Sequence, residues 1–168
     1  MKLTVTRSRI GWGAAAVALT ALPIVLLQPS PAGSSGSQVT RGQFRVFAAG
    51  VGDARFDDLR GHAQMIRTAN GQTIVKVEVT GLVPGTSYPV HVHAAPCGEG
   101  AADGHFQFQP GGPVDDHNEL WPGFTTNAAG AGAGMAVADR TAGERAVSMV
   151  IHSPDRAPAP KVACADLQ

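Results

Sequence analysis

The sequence predicts an all-β fold, an immunoglobulin-like Greek-key sandwich or flattened barrel, on three observations. Apolar and polar residues alternate with period two through GQFRVFAA, HAQMIRT, TIVKVEVT, SYPVHVH, FTTNA, GMAVAD and AVSMVIHS, as in strands with one buried face. Turn signals separate these runs: Asn70-Gly71, Pro84-Gly85, NAAGAG and RTAGE. Beyond the N-terminal spacer no run of ten or more residues has a helical period, and 21 glycines with 12 prolines suit short strands joined by many turns.

The N-terminus has the makings of an export segment. MKLTVTRSR is basic, IGWGAAAVALTALPIVLL is an uncharged apolar run, and QPSPAGSSGSQ is a spacer without periodicity. Small residues at Ser30 and Ala32 suit cleavage after Ala32. An uncleaved anchor is the competing reading, since the run is at the lower limit for a bilayer span; Gly11, Gly13 and Pro23 weigh against it. The expected organisation is a signal peptide or anchor over 1–32, a linker over 33–40 and a β-domain over 41–168. The domain would work outside the cytoplasm, extracellularly or in the cell envelope, touching a membrane only through an uncleaved N-terminus. Oligomeric state is left open, a monomer included.

Charge excludes one class of partner. Lys2, Arg7 and Arg9 are the only charges before Arg41; the remainder holds ten basic residues against thirteen acidic ones. A nucleic-acid partner would want a basic face, which this balance does not provide. In an oxidising compartment the two cysteines, Cys97 and Cys164, form one disulfide by default, with two buried free thiols as the alternative. A bridge would tie the segment after VHVH to the C-terminal strand.

The strand reading gives the histidines a face. In SYPVHVH, Val90 and Val92 point one way and His91 and His93 the other. In AVSMVIHS, Val147, Met149 and Ile151 share a face opposite Ser148, Val150 and His152. With the apolar sets in the core, His91, His93 and His152 lie on the outer surface. H-x-H alone is a weak pattern that a solvated pair would also satisfy. His105, on the short segment GHFQFQP, adds a fourth imidazole. Four nitrogen ligands from three segments suit copper, whose two oxidation states both accept them. His62 precedes a strand without a partner at ligand spacing and is expected to be structural. Met135 and Met149 are expected in the core.

Taken in order, TGLVPGTSYPVHVH, Cys97, GHFQFQP, NELWPGFTTNAAGAG, VSMVIHSPD and KVACADL resemble the copper-zinc superoxide dismutase family in its secreted bacterial branch. The resemblance runs from about Gly61 to Leu167. It implies copper ligands at His91, His93, His105 and His152, a catalytic bridging role for His105, and a Cys97–Cys164 disulfide. The implied reaction is dismutation of superoxide to dioxygen and hydrogen peroxide.

Two departures from the family pattern carry further expectations. The family's zinc loop needs three histidines and an aspartate, whereas HFQFQPGGPVDDHNELWPGF offers only His117 besides His105, with Asp115, Asp116 and Glu119 nearby and Phe108 where another histidine would stand. Zinc at His105, His117 and two carboxylates is one reading, a solvated His117 the other. The long charged loop of the family is reduced to SPDRAPAP, and Lys161 stands where its guiding arginine would be. Both departures resemble the copper-only relatives, in which an acidic side chain orients the bridging histidine. Glu119 is the candidate for that task, against a solvated carboxylate at a strand entry. Lys161 would attract superoxide, with Arg156 as a weaker alternative and a lysine merely snorkelling at a strand start as the plain reading. The rival functions are a copper-sequestering module on the same scaffold and a metal-free structural sandwich.

Overall fold

A computed structural model describes residues 36–47, 53–98, 100–155 and 159–168. The proposed export segment, linker residues 33–35, the end of the first candidate strand at Ala48 and Ala49, and Arg156 lie outside these residues. Among the described residues the strands are β1 (Gln38–Gln43), β2 (Arg45–Val46), β3 (Arg60–Arg67), β4 (Thr73–Thr80), β5 (Ser87–Tyr88), β6 (Val90–His93), β7 (Phe124–Thr125), β8 (Gly132–Ala138), β9 (Ser148–His152) and β10 (Lys161–Asp166). Among the same residues the helical content is one 3₁₀ turn, Gly100–Ala102.

Two antiparallel four-stranded sheets form, in the orders β1-β3-β4-β8 and β2-β10-β9-β6, with a short β5-β7 ladder beside them. The neighbours β4/β8 and β6/β9 are distant in sequence, so the chain crosses between the sheets as in a Greek key. The first segment passes from one sheet to the other: β1 pairs with β3, and β2 with β10. That side is closed by Arg41 and Gln168, which exchange backbone hydrogen bonds of 2.9 and 3.1 Å. Gly42 permits this approach, because a Cβ there would sit 1.9 Å from the Asp166 carbonyl oxygen.

Strand β1 begins at Gln38, within the span expected as linker. QVTRGQ pairs through its backbone with β3 and has no apolar alternation that would mark it. The core follows the alternation read from the sequence: Met65, Val75, Val77, Val90, Val92, Met149 and Ile151 are fully buried. Met135 departs from expectation. It is exposed together with Val137 on the outer face of β8, across from Lys76. The inward positions of β8 are taken by small residues, because the Pro122 carbonyl lies where a Cβ at Gly134 would be. His62 lies inside β3 opposite Glu78, exposed, with its Nε2 3.8 Å from the carboxylate and outside the histidine cluster.

Strand β9 departs as well. Its face carrying Ser148, Val150 and His152 was expected outside, yet every residue of the strand is buried. The segment after β6 folds back over that face and is fastened there by the Cys97–Cys164 disulfide. Ala102, Val150 and Cys164, with Phe47 and Cys97 against them, form a second small apolar cluster beneath it. His93 therefore sits between the sheet and this covering layer, its Nδ1 bonded to the layer's carbonyls.

Candidate metal centre

Pairing of β6 with β9 places His91 opposite Val150 and His93 opposite Ser148, so His91, His93 and His152 share one sheet face. The other edge of β6 is lined by the long loop. The Val92 N–H donates to Leu120 O (3.2 Å), Phe106 N–H to Val92 O (2.8 Å) and Ala94 N–H to Gly104 O (3.0 Å). These bonds set His105 beside His93 in an isolated bridge. One ring nitrogen from each of His91, His93, His105 and His152 lies within 4.8 Å of the other three.

The second nitrogens fix what the set can do. His93 Nδ1 donates to the carbonyls of Asp103 (3.1 Å) and Ala102 (3.3 Å), and His152 Nδ1 to that of Ala159 (3.0 Å). A carbonyl only accepts, so both protons sit on Nδ1 and both Nε2 atoms present lone pairs. Those two Nε2 atoms are 3.3 Å apart. His91 Nδ1 is buried without any hydrogen-bond partner. Burial pushes His91 down to about 3, helped by His105, His152 and His93; burial also lowers His93 to about 3, with His105 and Lys161 adding to it. His152 is lowered too, again chiefly by burial. Neutral imidazoles with converging lone pairs have no proton to share, so the arrangement fits a cation.

Behind His105 stands Glu119, only 2% exposed. Its Oε2 accepts from His105 Nδ1 (2.7 Å) and Trp121 Nε1 (2.8 Å), and its Oε1 from Gln107 Nε2 (3.1 Å). The geometry thus puts Glu119 on the second ring nitrogen of His105 rather than in solvent. Sequence reading missed Trp121 and Gln107; the spacing of Glu119, Leu120 and Trp121 in an extended stretch was the available signal, since i and i+2 share a face. It also missed Asn118, whose side chain accepts from Gln109 N–H and donates to Gln109 O and Pro113 O, knitting the loop together.

Lys161 lies across from His152 on β10. Its ammonium donates to the carbonyls of Ala101 (2.8 Å) and Asp103, and burial lowers its pKa while Asp103 opposes that shift. Ala101, Ala102 and Asp103 are consecutive left-handed residues, with φ of 50, 68 and 49°. Such a turn is strained for residues with a Cβ. Lys161 and His93 collect its carbonyls. His117 is not brought to His105: its side chain is 89% exposed and its Nδ1 pairs with Asp116 at 3.0 Å. Asp115 Oδ1 accepts from the N–H groups of His117 and Asn118. No second cluster of three or more metal-ligating side chains occurs among the described residues.

No protein-family model matches the chain, and no curated protein does. Solved structures do match. The clock protein EA4 aligns over 77% of this chain and 92% of its own, at 17% identity and a TM-score of 0.55. Copper(II) superoxide dismutase 5 of Candida albicans aligns over 78% of this chain and 91% of its own, at 17% identity and a TM-score of 0.51. The fold is the β-sandwich of the copper-zinc superoxide dismutases. At this identity the likeness carries the fold, and the same fold occurs in a protein called a clock protein.

Proposed function

We propose that His91, His93, His105 and His152 bind one copper ion and that the chain is an exported superoxide dismutase, turning two superoxide anions and two protons into dioxygen and hydrogen peroxide. The observation that carries this reading is the pair of Nε2 lone pairs facing each other at 3.3 Å, with both Nδ1 atoms committed elsewhere. Two such lone pairs repel, and a cation between them removes the conflict. Nitrogen donors alone, with no thiolate and no carboxylate among them, suit copper, and the likeness to a copper(II) dismutase supports that choice. Copper, when bound, supplies the one-electron couple that oxidises one superoxide and reduces the next.

The chain's own residues would divide the remaining work. Glu119 holds the Nδ1 proton of His105, so Nε2 is the atom that would face the copper and, whenever it is not ligating, the one able to take up a proton and hand it to the reduced substrate. A carboxylate behind His105, in place of a second metal, supports a copper-only site with His117 incidental. Lys161 would keep a positive charge at the rim for a small anion arriving by diffusion. The basic and apolar N-terminus together with the disulfide supports an extracellular or cell-envelope location.

One observation favours the sequestering reading instead: two of the three donors of Lys161 are held by backbone carbonyls. Loading the chain with copper alone, or with copper and zinc, and following superoxide decay by pulse radiolysis separates these readings. Fast decay with one copper per chain and no zinc is the expected result. One copper with negligible decay identifies a sequestering module, and dependence on zinc would overturn the copper-only site.

A further inference from the structure

Resting on the copper reading of the four histidines, we infer that Trp121 is a positioning residue of the site, a strap that fixes His105 through Glu119 and bears on His91. Glu119 Oε2 is shared. His105 Nδ1 donates to it at 2.7 Å and the Trp121 indole N–H at 2.8 Å, so the orientation of the oxygen that holds His105 is set from both sides. The same indole stands edge-on to His91, with ring centroids 5.6 Å apart and planes at 69°. His91 in turn lies 4.0 Å, centroid to centroid, from His105. One side chain thereby touches one histidine of the cluster and governs the hydrogen-bond acceptor of another.

The local backbone explains how it is held. Val92 N–H bonds to Leu120 O, pinning the extended stretch along the edge of β6. Leu120 enters the core, 1% exposed, while Glu119 and Trp121 lie to either side of it in sequence. Trp121 itself is 38% exposed, whereas the carboxylate behind it is buried. The indole is the partner of Glu119 with the most surface in water, so it takes the place a water molecule would otherwise occupy on Oε2. A carboxylate oxygen bonded to a fixed N–H keeps one direction; one bonded to exchanging water does not. Gln107, on Oε1 at 3.1 Å, cannot make up for the loss because it bonds the other oxygen.

The test is made on the metal-free full chain with ring-¹⁵N-labelled histidine, comparing the wild type with Trp121→Phe. Phe keeps an aromatic edge toward His91 and deletes the N–H. A second variant carrying benzothienylalanine at position 121 keeps the indole shape and deletes only the N–H. The ring ¹⁵N shifts and line widths of His105 report how firmly its Nδ1–H···Oε2 bond is held, a readout that looser packing at a half-exposed position does not move selectively. Expected are shifted or exchange-broadened His105 ring signals in both variants with the proton still on Nδ1, His93 and His152 unchanged, and about tenfold weaker copper binding by chelator competition. Unchanged His105 ring signals in the benzothienylalanine variant overturn the inference. Altered His105 signals in a chain that binds no copper even as wild type would uphold the role of Trp121 and remove the metal reading.

Discussion

The Nε2 atoms of His93 and His152 face each other at 3.3 Å while their Nδ1 protons are given to the carbonyls of Asp103 and Ala159. The fold therefore holds a repulsive arrangement in place without metal, and a bound cation should relieve it. Copper is expected to raise the unfolding temperature strongly, since at a thousand times Kd it contributes about 4 kcal/mol. Differential scanning calorimetry with and without chelator measures the shift. His93→Ala should abolish most of it; an equal shift in that variant would place the ion elsewhere.

Acid should act on the metal-free protein through the same rings. His91 and His93 are held near 3, far below the ordinary value of 6.5, and His152 is lowered as well. The unfolded chain then binds more protons than the folded one across that window, so stability falls as pH falls from about 6.5 toward about 3. Each histidine contributes a slope of at most about 1.4 kcal/mol per pH unit. Urea midpoints between pH 7 and 4 check this. Copper should raise stability throughout this window without flattening the slope, because the folded rings are unprotonated with or without the ion.

Glu119→Gln tests the carboxylate behind His105. Three N–H donors converge on Glu119, and an amide offers only one oxygen to accept them. Its NH₂ group would face a donor, and His105 could answer by moving its proton to Nε2, the atom aimed at the metal. Copper affinity is expected to fall about 10–100-fold, read by competition with a chelator of known strength. Affinity within twofold of wild type would show that Glu119 does not orient the ring.

The sheets were legible because alternation with period two survives wherever one face is buried: TIVKVEVT and SYPVHVH read directly as β4 and as β5 with β6. β1 was not legible, since its pairing is made by backbone groups that any sequence carries. The faces of the histidines were read correctly and their exposure was not. His93 is fully buried because a disulfide-fastened segment covers the sheet, and the period of one strand says nothing about what lies over it. Glu119 could be proposed from sequence by resemblance, but Trp121 sharing its oxygen is a contact between side chains two residues apart in an irregular loop. Met135 failed for a simpler reason: alternation in GAGMAVA identifies two faces without saying which one is inside.

Removal of the disulfide should act on stability and site together. Cys97 and Cys164 are 67 residues apart, and the chain-entropy model gives about 4 kcal/mol for a loop of that size. Cys97→Ser with Cys164→Ser is expected to lower the unfolding free energy extrapolated from urea denaturation by that amount and to weaken copper binding, because the layer over His93 loses its fastening. Equal copper affinity in the double variant would separate the site from its cover.

Lys161 joins the same cover from the other side. Its ammonium holds the carbonyls of Ala101 and Asp103 in a left-handed turn, and the turn's Ala102 and Asp103 carbonyls hold His93 Nδ1. A lysine acting only by attracting superoxide would change the rate and leave copper binding alone. One that also keeps this turn in its strained conformation should change both. Lys161→Met is therefore expected to weaken copper binding several-fold and to slow superoxide decay per bound copper. The remaining rate should be less sensitive to salt than in the wild type, since the screened charge is gone. Lys161→Arg, which retains charge and donors, should restore most of the affinity. Isothermal titration and pulse radiolysis at two ionic strengths separate the effects: unchanged affinity in Lys161→Met refutes the hold on the turn, and unchanged salt dependence refutes the attraction.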